Sequence, residues 1–331
     1  MYISNELMKK IIYINFLITL LLLIFSELFL RHILGYNVQG ISKNVLNTDG
    51  QFTFNNKNLT KSKVFGAKIF TDVNGFRVPK KPKKTEKKDK NKIFFIGGSV
   101  TFGNGVSAED TFVEKLNEEA DFLIVNASVV GSSLENNYKI FSNIYEKKKT
   151  EKVFISLAVD DIRDFTIITR RSNTHKESKP ITFVKKIKSK KIFVNINSFL
   201  RANFVSYVFF KTFLLNSEKQ YFLQELVRFK DSEFLNKFSY TLEKFTPHKD
   251  KITFFIIPYS EQVTSQGCKK RDITQDFFEK ELNSKNLNFI NLKEQFCNHK
   301  KNKKLFLKND HAHLSKKGHE LIFSVLKKYL N

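Results

Sequence analysis

The sequence predicts a three-layer α/β domain over residues 93–331, built on a parallel sheet, carrying a helical insertion and preceded by one membrane-spanning helix. Three observations carry this. Short runs rich in Ile, Val and Phe alternate with segments whose apolar residues recur every three or four positions, the pattern of strands alternating with helices. A lysine-rich stretch separates that texture from what precedes it. The chain also opens on an apolar run long enough to cross a bilayer.

That first run, Ile11 to Phe25, holds no charge, and the apolar pattern resumes at Leu28 to Leu30 after Ser26 and Glu27. About twenty residues suffice to span the hydrocarbon core. The residues that follow are Arg31, His32, Ile33 and Leu34, without the small-x-small pattern of a cleavage site, so residues 1–34 are expected to be an uncleaved signal anchor. Lys9 and Lys10 flank one end and Arg31 and His32 the other; the reading favoured is an inside amino terminus and a body on the periplasmic or cell-surface face. Residues 35–92 form a second unit: a polar, Asn-rich, β-like segment and then a linker. In Asp72-Val73-Asn74-Gly75-Phe76-Arg77, Asn74-Gly75 supplies the positive φ that a tight turn between strands needs. KKPKKTEKKDKNK, residues 80–92, has almost no apolar surface to bury and is expected to be solvated.

From Ile93 the strands expected are 93–96, 122–125, 153–157, 252–257 and 287–290, with apolar runs suited to burial on both faces. Helical spacing falls at 110–119, 134–148, 273–282 and 316–330, each with acidic or hydroxyl residues near its start. Between the third and fourth strands lies a long insertion, about 164–250, helical and Phe-rich in its second half. It is expected to cap the ligand-binding edge of the sheet or to offer a packing surface to a partner, such as an envelope protein.

The 57 basic against 33 acidic side chains give a net charge of +24, which at first suggests a nucleic-acid binder. The lysines are spread over the whole length and no zinc-finger spacing or RNP-like aromatic motif accompanies them, so nucleic acid is set aside in favour of anionic lipid or glycan surfaces. Cys268 and Cys297 fit either an exported disulfide or two unrelated buried thiols, and two cysteines make no metal framework.

Ligands of an open parallel sheet bind beyond the carboxyl ends of the strands, so the loops there are the candidate site. Phe94-Phe95-Ile96-Gly97-Gly98-Ser99-Val100-Thr101-Phe102-Gly103 runs from a strand into a Gly-Gly-Ser turn that exposes the serine hydroxyl. Taken alone it reads equally as an ordinary turn; the lysine of a phosphate-binding loop is missing. Asp310-His311-Ala312-His313 precedes the last helix, and the three-residue spacing lets Asp310 reach one ring nitrogen of His313 while the other faces the site. The competing reading is a helix cap with solvated histidines. A metal set of Asp310, His311, His313 and His319 is set aside because no second ligand cluster accompanies it.

Together these blocks resemble the SGNH/GDSL hydrolases of the membrane-anchored bacterial envelope type, over residues 93–331 without the insertion. GGSVTFG is similar to the family's GDSxTxG, NASVVG to the block that supplies an oxyanion-hole glycine, and DHAH to its DxxH; the turn Asp72 to Arg77 resembles an element that often precedes such domains. The resemblance implies a flavodoxin-like sheet, Ser99 as nucleophile, His313 as base, Asp310 as its partner, and oxyanion donors at Ser99 and Gly131. It implies no cofactor, and a serine esterase acting on acyl groups, O-acetyl above all, of an envelope glycan or lipid. The third block departs from the pattern. Where the family shows GxND, this chain reads Ala158-Val159-Asp160-Asp161, and an ionised Asp160 at the oxyanion position repels rather than donates, unless it is turned away to accept from Arg163 or a local backbone amide, the reading preferred here. Two alternatives therefore stay open: an O-acyltransferase using the same triad, and an inactive domain of the same fold that binds glycan or scaffolds an envelope assembly.

Overall fold

The computed structural model of the chain describes residues 5–49, 52–81, 91–147, 150–164, 167–168, 191–270, 272–308 and 310–330. Most of the Lys-rich stretch and the first part of the insertion, 169–190, lie outside these residues.

Five parallel strands make the core of the sheet: β6 (Lys92–Ile96), β7 (Leu123–Asn126), β8 (Thr150–Leu157), β9 (Ile252–Ile256) and β10 (Asn288–Asn291), in the order β7-β6-β8-β9-β10. Read as 2-1-3-4-5, this is the flavodoxin-like order, whose switch point lies beside the end of the first strand. Each strand lies within three residues of its expected position. Every residue of β9 is buried, which explains its unbroken ITFFI run: parallel strands are covered on both faces. Phe95 and Phe154 stack at 4.9 Å on neighbouring strands, and each such side chain contributes about 1.5–3 kcal/mol on burial.

Several helices start at a side-chain cap. Thr111 accepts from the Glu114 amide at the start of α3 (Phe112–Glu119), after α1 (Asn5–Leu28) and α2 (Ser99–Phe102). Then come α4 (Leu134–Lys147) and, in the insertion, α5 (Lys191–Asn203), α6 (Val205–Leu215), α7 (Ser217–Arg228) and α8 (Ser232–Glu243). Asp272 caps α9 (Ile273–Ser284), α10 (Lys293–Asn298) follows, and Ser315 caps α11 (Lys316–Leu326). Phe141, Phe278 and Ile322 pack the outer helices into one core with the sheet. Cys268 and Cys297 are joined in a disulfide, tying α10 to the loop after β9.

The segment before the linker does not stand apart from the sheet. β3 (Ser62–Val64), β4 (Ala67–Thr71) and β5 (Arg77–Val78) extend it antiparallel, β5 pairing with β7 through Arg77 and Asn126. β1 (Leu46–Asp49) and β2 (Phe52–Asn55) form a separate two-stranded ladder. In the turn between β4 and β5, Asp72 Oδ1 accepts from the amides of Asn74 and Phe76, and Gly75 alone takes a positive φ, 84°.

α1 and the wide turn after it, Phe29–Ile33, form the apolar helix. Its end is fastened to the insertion. The Glu27 carboxylate accepts from the Val205 and Ser206 amides at the start of α6, at 3.0 and 2.8 Å, and from Arg31. Leu30 is buried with Val38 and Val205.

Candidate active site

Ser99 is the first residue of α2, directly after the end of β6. The approach is tight. A Cβ at Gly97 would lie 1.9 Å from Ser156 Oγ and 2.9 Å from Thr101 Oγ1, so only glycine lets the chain leave β6 beside β8. The Ser99 amide, at the start of a helix, has no acceptor within it.

Arg77 fixes the other end of α2. Its guanidinium donates to the carbonyls of Phe102, Gly103 and Val106, the last two at 2.6 Å. The side chain is buried, and burial, partly opposed by the charge of Glu109, brings its pKa down to about 9, so it is still a cation at neutral pH. The turn before Arg77 thus delivers a clamp for the serine's helix.

His313 comes from the opposite side. The loop before α11 is anchored by the Leu307 amide donating to the His313 carbonyl and by the Ser260 amide donating to that of His311. Asp310 Oδ1 accepts from the Ala312 and His313 amides, at 2.9 and 2.7 Å, which turns Oδ2 to His313 Nδ1 at 2.8 Å. His313 Nε2 lies 2.8 Å from Ser99 Oγ. Phe65 sets its ring edge-to-face on the imidazole, 4.7 Å between centroids, and Asn104 Nδ2 lies 3.3 Å from Nε2. Burial disfavours the imidazolium, but the charge of Asp310 and its hydrogen bond, with the charge of Asp160, outweigh this and raise the His313 pKa. Burial likewise disfavours the Asp310 anion, yet His313 holds that carboxyl below the usual range.

Gly131, at φ 74°, lies in the loop after β7, with open space where a side chain would project. Asp160, after β8, is turned into a network of its own. Arg163 Nη1 is 3.5 Å from its Oδ2, and the buried Tyr259 phenol donates to it. Arg163 also forks onto Glu225 of α7, with Nη2 to Oε1 at 2.7 Å, and Arg228 pairs with the same buried carboxylate. Tyr221, one turn earlier on α7, packs on His311 at 4.4 Å and under the Arg163 guanidinium. Asp161, the second acid of that block, closes its own loop by accepting from the Ala158 amide, and burial with the neighbouring Asp160 charge pushes its carboxyl well up.

The four members of the set-aside metal group are not one cluster. His313 and Asp310 pair with each other; His311 packs between Tyr221 and Tyr259, where burial brings its pKa to about 4; His319 is fully buried on α11, Nδ1 accepting from the Phe112 amide. Among the described residues no three His, Cys, Asp or Glu side chains are grouped to hold a metal.

Four residues at the site were not singled out from the sequence: Arg77, Asn104, Tyr259 and Glu225. Arg77 stands next to a turn that was recognised, and Asn104 lies just past GGSVTFG between two glycines, so both were near a visible signal. Tyr259 and Glu225 lie in a strand-end loop and in the insertion, and nothing local marks them.

The GDSL-like lipase/acylhydrolase family matches residues 93–326, and the chain belongs to it; its members act on ester bonds. Solved structures to which the chain is similar include a lipase/acylhydrolase from Enterococcus faecalis, 14% identical over 72% of this chain and 95% of that one, TM-score 0.42. Another is the psychrotrophic esterase EstA from Pseudoalteromonas sp., 15% identical over 73% and 99%, TM-score 0.39. A third is an acetyl xylan esterase, AlAXEase, 14% identical over 72% and 98%, TM-score 0.39. No curated protein matches the sequence.

Proposed function

We propose that this chain is a serine esterase, anchored to a membrane by α1, that removes acyl groups, O-acetyl foremost, from an envelope glycan or lipid. The observation that carries the reading is the continuous hydrogen-bonded line from Ser99 Oγ through His313 to Asp310, with 2.8 Å at both links. In it His313 Nε2 takes the serine proton as Oγ attacks the ester carbonyl, and Asp310 holds the tautomer and steadies the imidazolium. The alkoxy leaving group takes that proton from His313, and water, deprotonated by the same nitrogen, releases the acyl group as its acid. The Ser99 and Gly131 amides receive the oxyanion. Retention of the anchor is supported by Glu27, which lies at the end of the apolar run yet caps a helix of the body. The test is turnover of an ester panel by the full chain in detergent beside Ser99→Ala. Release of acyl groups by the parent and none by the variant supports the reading; transfer only in the presence of a sugar acceptor moves it to acyltransferase.

Asp160 acts here as a structural partner of Arg163 and Tyr259, not as an oxyanion donor. Asp160→Asn therefore lowers kcat on a small acetyl ester by about tenfold, since a charge-assisted hydrogen bond is worth about 1.5–3 kcal/mol. A gain approaching the ~100-fold of a newly placed oxyanion donor would show the opposite, a hole crippled by its charge.

The pH profile follows from His313, which works only as the neutral base. Its pKa lies above the ordinary 6.5, so kcat/KM rises with pH through an inflection above 6.5. Stability runs the other way for His313: the contribution of its raised pKa is complete below the unfolded value and fades as pH rises through the higher folded one, whereas that of Asp310, whose pKa is lowered, is lost only as pH falls through its folded value. An acid limb below 6.5 in the kinetic profile contradicts the assignment.

A further inference from the structure

We infer that α5 and α6 form a membrane-surface element whose apolar face lies in the lipid interface beside the outer end of α1. This rests on the reading of α1 as a spanning anchor. α6 has the sequence VSYVFFKTFLL, and of its eleven residues only Val205 and Val208 are buried. Phe213 and Leu214 are 74% and 73% exposed, Leu215 and Phe210 about half, and on α5 Phe193 and Ile196 are exposed to a similar degree. A soluble surface rarely gathers so much contiguous apolar area without something to cover it. The main core does not use it: α8 sends Phe234, Phe238 and Leu242 into that core, whereas α6 is tied to the small cluster around Leu30 and Val38.

What covers the face is indicated by what it adjoins. Glu27 caps α6 and Arg31 donates to the Asn203 carbonyl at the end of α5, so both helices are pinned to the last turns of α1. Phe209 continues the contact onto Tyr36, just past the anchor. No part of the apolar stretch of α1 is buried by the protein. A face that continues from the outer turn of a spanning helix meets lipid first, and helices of this kind settle roughly 5–10 Å into the headgroup–acyl boundary. Lys211 lies among these apolar residues beside Asn197, suited to a phosphate headgroup at that boundary. The element also connects to chemistry, because α7, next in the chain, carries Tyr221 and Glu225 to the loops around His311 and Asp160.

The chain has no tryptophan, so one substitution makes a sole reporter. The full chain is reconstituted into phosphatidylcholine vesicles as Phe213→Trp, with Tyr240→Trp on α8 as the aqueous control and Leu21→Trp as the reporter for α1; all three positions are exposed. Phe213→Trp is expected to emit to the blue of Tyr240→Trp and to lose most of its emission to lipids brominated near the head of the acyl chain, less to lipids brominated near its end. Leu21→Trp reads the anchor separately, with stronger quenching from deep bromines. Emission from Phe213→Trp that matches the control and ignores every bromolipid overturns the proposal, whatever Leu21→Trp does. A blue-shifted but unquenched reporter also overturns it, showing a protein partner or a second copy on this face. Quenching at position 213 with none at 21 keeps the surface element and removes the anchor.

Discussion

Ser99→Ala and His313→Ala each lower kcat on a small acetyl ester by about four to six orders of magnitude, and the double variant is hardly slower than either. The reason lies in the geometry. Ser99 Oγ is a weak nucleophile until Nε2, 2.8 Å away, accepts its proton, and the imidazole has no proton to move without that hydroxyl. Partners that act on one proton lose their joint effect once. Steady-state kinetics on the two single variants and the double variant measures this, and losses that multiply would mean that the two side chains act separately. Asp310→Asn belongs to the same cycle. It keeps the shape of the pair while removing the charge that raises the His313 pKa, so its acid limb moves down as kcat falls.

The largest effect away from Ser99, His313 and Asp310 is expected at Arg77. Arg77→Met keeps much of the volume but leaves the carbonyls of Phe102, Gly103 and Val106 without their donor. Breaking a buried charged contact of this kind costs about 3–5 kcal/mol. For a domain of this size that corresponds to a fall in Tm of roughly 10 °C or more. Ester turnover falls as well, because those carbonyls end the turn that begins with Ser99. Arg77→Lys keeps the charge without the fork that reaches three acceptors, and recovers only part of the loss. Thermal unfolding followed by circular dichroism settles the matter: a Tm within about 2 °C of the parent for Arg77→Met would show that the clamp carries no stability.

The sheet was legible because its strands declare themselves. ITFFI is buried throughout and KIFFI from Ile93 onward, and both are dominated by Ile and Phe as strands covered on both faces are, while Thr111, Asp272 and Ser315 announce the helices that follow. Ser99, Asp310 and His313 stood out because a glycine turn and a three-residue spacing are local features. What local pattern cannot carry is contact between distant segments. Arg77 reaches across twenty-five residues or more to the α2 turn, Arg163 reaches sixty-two to Glu225, and β5 joins the sheet through one short pairing with β7. The role of Asp160 was legible in part: Arg163, three residues along, is a partner the sequence itself offers to that acid, whereas only the fold brings Tyr259, about a hundred residues away, and Glu225 to the same network. The insertion is the other case: its Phe-rich pattern is visible, but that α7 reaches the loops around His311 and Asp160 while α6 adjoins the end of α1 follows from where α7 and α6 pack.

The most direct measurement is covalent capture of the nucleophile. A fluorophosphonate is attacked at phosphorus by an activated serine, forming the P–O bond with loss of fluoride, and it reports the activated hydroxyl without any assumption about the natural ester. Intact-mass and peptide mass spectrometry of the full chain in detergent should show one adduct, on the peptide holding Ser99, formed in the parent and absent from His313→Ala. An unmodified chain, or an adduct on another residue in a preparation that hydrolyses acetyl esters, would contradict the assignment of Ser99, His313 and Asp310 as the catalytic unit.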